Sequence, residues 1–337
     1  MYYTLRDASK VLNAPLSSTF RYIKSEQGRQ TAVRTRPQCP PERHAEFLGY
    51  ATELKSSPSH IDVDEGWCFA FHPSKGKILL LPPRWEGWKL SGSKPFEAFE
   101  GRVEVGSKRY LSKLMIVTAI CRPMLVKGAG YVGGKVSISQ CATTHEAQRR
   151  SKNHQKGDLY LKIGEGMNSD DYERIMVEDI IPSARASPCL AHVPSPLRIQ
   201  SDNAPIHPKA NSLSPRLARA LMGDREEERE CVLARQAPKN PQQNANDIGF
   251  YHGIWCGVDK HFTGLDLRRR EATLDEIWSV VQHVFWSYPA EKIEIIFRLK
   301  ERLLELQIES GGDNRFKVPH DGIRAAVMAE HLASKNG

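Results

Sequence analysis

The spacing of apolar positions changes period along this chain, and each change marks an element. From Thr4 to Ser25, Leu5, Ala8, Val11 and Leu12 share one helical face, and Leu16, Phe20 and Ile23 form the apolar side of a second short helix. Asn13-Ala14-Pro15 makes the turn between them, and Ser17 or Ser18 caps the second helix. Two short helices and a tight turn predict a helix-turn-helix, whose second helix points Ser17, Ser18, Arg21 and Lys24 outward, as reading a DNA groove requires. An ordinary helical hairpin has the same pattern. From Ser59 the period falls to two: "SHIDVDEGWCFAFH" sets Ile61 and Val63 on one face and Asp62 and Asp64 on the other. "KILLLPP", "YLSKLMIVTAICRP", "GKVSISQCA" and "GDLYLKIGEG" read as further strands, the second apolar enough to be central in a sheet.

Helical spacing returns in "NSDDYERIMVEDIIPSA", capped by Asn168 or Ser169, with Tyr172, Ile175, Met176, Ile180 and Ile181 inward. "PLRIQSD" is a short strand ending at Asp202, followed by a helix near 211–222 and the strand "CVLARQA". Three helices follow. The first opens at Asp247, which suits an N-cap. The second opens on a Thr273/Glu276 capping box. The third has Pro289 at its first position and stops at Gly311-Gly312. Mixed strands with appended helices predict an α/β sheet domain preceded by a small all-α module. The expected division is 1–26 for the helix-turn-helix, 27–57 for a basic linker and helix, 58–265 for the sheet domain and 266–325 for C-terminal helices packed on it.

Composition narrows the partner. The 337 residues carry a formal charge of +8, which favours a polyanion, nucleic acid being the commonest. Lys24, Arg29, Arg34, Arg36 and Arg43 fall in a stretch with three prolines that reads as an extended linker able to lie along phosphates. Seven scattered cysteines form no C-x-x-C pair, which argues against a zinc ribbon and for a reducing compartment. With no signal peptide and no apolar run of membrane-spanning length, the expectation is a soluble intracellular protein.

Three acidic positions could carry chemistry: Asp64 in a strand, Asp202 at a strand end and Asp247 at a helix start. Strand ends and a helix start can meet above one sheet edge. Three carboxylates there would repel one another and raise each other's pKa unless hard divalent cations sat between them. Spacing alone does not choose this over turn, surface and cap roles, because 40 acidic residues contain many such triples.

The surrounding motifs do choose. "HIDVDEGW" resembles the "HVDEKW" block of mariner-type transposases, "QSDNAPIH" their "QDNAPIH" block, and "NPQQNANDIGFYHGI" their "SPDLNVLDLGFF" block, in the family's order. "YLSKLMIVTAICRP" and the tail through "GGDNRFKVPH" are similar to a eukaryotic branch of the same family. The resemblance implies a ribonuclease H-like mixed sheet with flanking helices, and Asp64, Asp202 and Asp247 as catalytic ligands of two Mg²⁺ ions, with Mn²⁺ able to substitute. Asp62 competes with Asp64 on the same strand face, and the motif favours Asp64, which precedes Glu65. His207 is a candidate to support the metal ligands from behind.

The activity implied is cut-and-paste transposition: hydrolysis at terminal inverted repeats, then transfer of the freed 3′-hydroxyl to target DNA. The implied partners are double-stranded DNA and a second copy of the chain, in the nucleus. Two departures stand out. Gly66 replaces the lysine of "DEKW", and "NPQQN" replaces "SPDLN". Two other functions share these features: a transposase-derived DNA-binding protein without strand transfer, and a ribonuclease H-type nuclease acting on RNA–DNA hybrids.

Overall fold

The computed structural model describes residues 41–56, 60–69, 113–150, 155–163, 166–209, 212–223, 228–237, 240–264, 273–314 and 322–336. The expected helix-turn-helix, the basic linker up to residue 40 and the "KILLLPP" strand lie outside these residues.

The strands are β1 (His60–Phe69), β2 (Lys113–Cys121), β3 (Met124–Val126), β4 (Gly130–Val132), β5 (Lys135–Gln140), β6 (Ala142–Glu146), β7 (Leu159–Ile163), β8 (Leu197–Ser201) and β9 (Cys231–Arg235). The helices are α1 (His44–Ser56), α2 (Ser169–Ile175), α3 (Ile181–Ala186), α4 (Pro215–Met222), α5 (Tyr251–Gly264), α6 (Leu274–Ser287), α7 (Ala290–Glu309) and α8 (Ile323–Asn336). Five strands form one sheet in the order β5-β2-β1-β8-β9. β1, β2 and β5 run antiparallel, whereas β8 and β9 join parallel to β1. The pairs β3–β4 and β6–β7 are separate antiparallel ribbons.

β2 is buried on both sides, as its unbroken apolar run predicts. Ile61, Val63, Val117 and Ala119 pack against Tyr172, Ile175, Ile180 and Leu217 from α2 to α4. Leu114, Ile116 and Ile120 pack against Phe250, Ile254, Ile277, Phe285 and Ile293 from α5 to α7. Each fully buried Leu, Ile or Phe contributes roughly 1.5–3 kcal/mol, so the two apolar layers hold the sheet from both faces.

Local signals explain the helix ends. Asn168 caps α2 by accepting the Asp171 N–H, and Asp171 returns the bond to close a capping box. Thr273 and Glu276 do the same for α6. Three details differ from the sequence expectation. α2 and α3 are joined through a wider π turn at Met176–Ile180, with Pro182 following it. Pro289 is the extended residue before α7 rather than its first helical one. Asp247 is not an N-cap: Ala245 holds that place, and Asp247 lies within a π turn, Asn246–Phe250, that leads into α5. α8 is a further helix without a counterpart in the sequence reading. It is tied down where Tyr131 N–H donates to His331 Nδ1 and Arg298 pairs with Glu330.

Candidate active site

β1 sorts its acidic residues by alternation. Asp62 and Asp64 point to the α5–α7 side, and Glu65 points to the α2 side. Asp62 is fully buried and neutralised. Lys300 on α7 donates to both of its oxygens at 2.7 Å, and the Ala245 N–H donates to Oδ2 at 2.9 Å. This is a structural ion pair, which leaves Asp64 as the β1 carboxylate available for other chemistry.

The segment bearing Asp247 is held by buried amides. Asn244 donates to the Val63 carbonyl at 3.0 Å and Asn246 to the Asp62 carbonyl at 3.0 Å. Thr118 on β2 donates to Asn246 Oδ1 at 2.9 Å, and Gln243 donates to Gln307 of α7 at 3.0 Å. Side-chain amides thus lash the "NPQQNAND" turn to the strands that flank it, and Asp247 arrives beside Asp64. Tyr251, one turn on, donates its hydroxyl to the Asp64 carbonyl. Its ring lies over Gly66, where an added Cβ would stand 3.0 Å from it. A glycine at position 66 is therefore what lets this tyrosine in.

Asp202 follows β8 directly and is fixed by its own turn. The Ala204 N–H donates to Asp202 Oδ1 at 2.8 Å, and the His207 N–H donates to the Ala204 carbonyl at 3.0 Å. His207 Nδ1 lies 2.9 Å from both the Asp202 carbonyl and Oδ1, and Nε2 lies 2.8 Å from Glu65 Oε1. Tyr172 packs on the imidazole with ring centres 4.3 Å apart.

The electrostatics show that these groups share one field. Burial, then Asp247, Glu65 and Asp202, push Asp64 up to about 9. Burial raises Asp247 to about 6, against a lowering hydrogen bond with Asp64 and with further upward pressure from Asp202. Asp64 and Asp247 therefore share a proton at neutral pH. Asp202 is held below the usual carboxylate range, mainly by its hydrogen bond to His207. Burial alone would lower His207, but its bonds to Asp202 and Glu65 outweigh that and hold it up to about 10. Two crowded carboxyls with raised pKa values, Asp64 and Asp247, beside the ionised Asp202 form a set of oxygen donors that fits hard divalent cations. One atom each from Glu65, Asp202 and His207 also lies within 4.8 Å of the others. Each His207 nitrogen there already meets an oxygen at hydrogen-bond length, so the group reads as an ion-paired clamp rather than an ion cage.

No protein-family model matches the chain, and no curated protein does. Among solved structures, two of the most similar are the Mos1 mariner paired end complex with Mn and a pre-cleavage Mos1 transpososome. The first is 12% identical, covers 94% of this chain and 76% of its own, and has a TM-score of 0.50. The second is 13% identical with the same coverage and TM-score. This chain has the mariner transposase fold, with its ribonuclease H-like sheet. Within that mariner fold, Asp64, Asp202 and Asp247 come from a strand, a strand end and a helix start that are remote in sequence. They gather at one end of the paired strands β1 and β8.

Of the other residues expected to matter, Ser17, Ser18, Arg21, Lys24, Arg29, Arg34 and Arg36 lie outside the described residues. The sequence reading missed Glu65, Lys300, Asn244, Asn246 and Tyr251. Lys300 had a signal: it falls in register with Ile293, Ile296, Phe297, Leu303 and Leu304 on the apolar stripe of α7. A lysine there needs a buried anionic partner.

Proposed function

We propose that this chain is a mariner-type DNA transposase that uses Asp64, Asp202 and Asp247 to hold two Mg²⁺ ions, with Mn²⁺ able to replace them. It hydrolyses DNA at terminal inverted repeats and joins the freed 3′-hydroxyl to target DNA. The observation that carries the reading is the meeting of these three carboxylates in one electrostatic field on this fold. Such ions supply Lewis acidity and stabilise attacking and leaving oxygens in phosphoryl transfer. The chain's own part is positional. Asp64 and Asp247, which share a proton between them, would hold the ions once that proton is lost. The buried amides of 243–246 keep Asp247 against β1, and the Asp202 turn holds its carboxylate at the strand end.

The DNA partner, a homodimer on paired ends, a helix-turn-helix in residues 1–26 and a nuclear address complete the proposal. The two structural neighbours are named as paired-end and transpososome assemblies, which supports the DNA partner. The test is incubation of the full chain with Mg²⁺ and an inverted-repeat duplex from its own element. Nicking at the repeat end, abolished by Asp202→Ala, is expected. Repeat binding without nicking would leave a transposase-derived DNA-binding protein, and cleavage confined to RNA–DNA hybrids would leave the nuclease.

A further inference from the structure

We infer that Glu65 and His207 are positioning residues: the imidazole straps the turn carrying Asp202 to the strand carrying Asp64, and so sets the spacing of two carboxylates for a divalent cation. This rests on the proposed role of Asp64 and Asp202 as ligands.

The strand register shows why a strap is needed. β8 pairs with β1 only from His60↔Arg198 to Asp62↔Gln200. At the level of Asp64 and Asp202 the two main chains have parted, and no ladder bond fixes their separation. The next tie is a side-chain one. Glu65 is the neighbour of Asp64 on β1 and points to the opposite face, where its Oε1 meets His207 Nε2 at 2.8 Å. The far nitrogen, Nδ1, meets Asp202 at its carbonyl and its Oδ1, both at 2.9 Å. The His207 side chain is 1% exposed, and Tyr172 lies against its ring, so the plane of the strap is fixed by packing.

The same contacts orient Asp202. Its Oδ1 accepts from the Ala204 N–H and lies 2.9 Å from His207 Nδ1, which leaves Oδ2 as the oxygen to meet an ion, on a side chain that is 42% exposed. Outer partners of this kind set the orientation of metal-binding carboxylates, and their loss typically weakens metal affinity about 10- to 100-fold.

The experiment is a Mn²⁺ titration of the purified full chain without DNA, followed by electron paramagnetic resonance, on wild type, His207→Ala, Glu65→Gln and Asp202→Ala. Hydrogen exchange of residues 202–207 is measured on the same proteins without metal. The expectation is that His207→Ala weakens Mn²⁺ binding about 10-fold or more, Glu65→Gln weakens it less, and both speed exchange in the turn while unfolding stays cooperative. Wild-type affinity and wild-type exchange in both variants would overturn the inference alone. A nitrogen coupling to bound Mn²⁺ that vanishes in His207→Ala would also overturn it, by making His207 a ligand. A wild type that binds no Mn²⁺ overturns the ligand reading of the site and this inference with it. If His207→Ala does not fold, Glu65→Gln carries both readouts.

Discussion

Replacing Asp64 with asparagine should stabilise the metal-free protein while abolishing any metal-dependent chemistry. The folded state holds the Asp64 carboxyl at about 9, against an ordinary value of 3.8. Between those values the native protein keeps a proton that the unfolded chain has released. Stability is therefore complete with respect to this group below pH 3.8 and is lost as pH rises toward 9. Each pH unit in that window costs about 1.4 kcal/mol, so at pH 7 the penalty reaches about 4 kcal/mol. Asparagine has similar shape, carries no charge to neutralise, and can still donate to Asp247. The expected gain at pH 7 is about 2–4 kcal/mol, the lower end allowing Asp247 to take up part of the proton in the wild type. The assay is urea unfolding in chelator at pH 5, 7 and 8.5. The wild type should lose stability as pH rises, and Asp64→Asn should lose less, so the gap widens with pH. Equal slopes, or a variant weaker than wild type at pH 8.5, would refute the view of Asp64 as a buried carboxylate destabilised by its neighbours.

Two other perturbations separate structural groups from the chemical site. Lys300→Met leaves Asp62 buried without its cation and should cost about 3–5 kcal/mol in unfolding measurements; adding Asp62→Asn should recover much of that loss, and no recovery would show that the pair is not the cause. Gly66→Ala presses a methyl group on the Tyr251 ring, 3.0 Å away, and should cost about 1–3 kcal/mol. Gly66→Ala combined with Tyr251→Leu should suffer less than the two losses added, as a double-mutant cycle would reveal.

Elements with a periodic signal were legible from the chain alone. β1 and β2 announced themselves by alternation and by an apolar run, and α6 by its capping box, because those signals come from contacts within a few residues. α8 was not legible: Val327 and His331 are its buried residues, too few for a stripe, and its hold on the fold is polar, through Glu330 and His331. The π turn at Asn246–Phe250 was missed for a related reason, since amide bonds to β1 and β2 shape it and its own sequence does not.

The site divides along the same line. Sequence by itself determined which carboxylates to consider, because three motifs in order pick out Asp64, Asp202 and Asp247 from 40 acidic residues. Only the tertiary structure decided what each does next to its neighbours. Asp62 and Asp64 share a strand face, and only the motif separates them on paper; α7 brings Lys300 to Asp62 and leaves Asp64 free of it. Glu65 looked like part of a motif and turns out to meet His207 across the strand gap. Alternation is a property of the local backbone, so the chain displays it openly. Which charge meets which across the sheet depends on the packing of remote helices, and no short stretch of sequence encodes that.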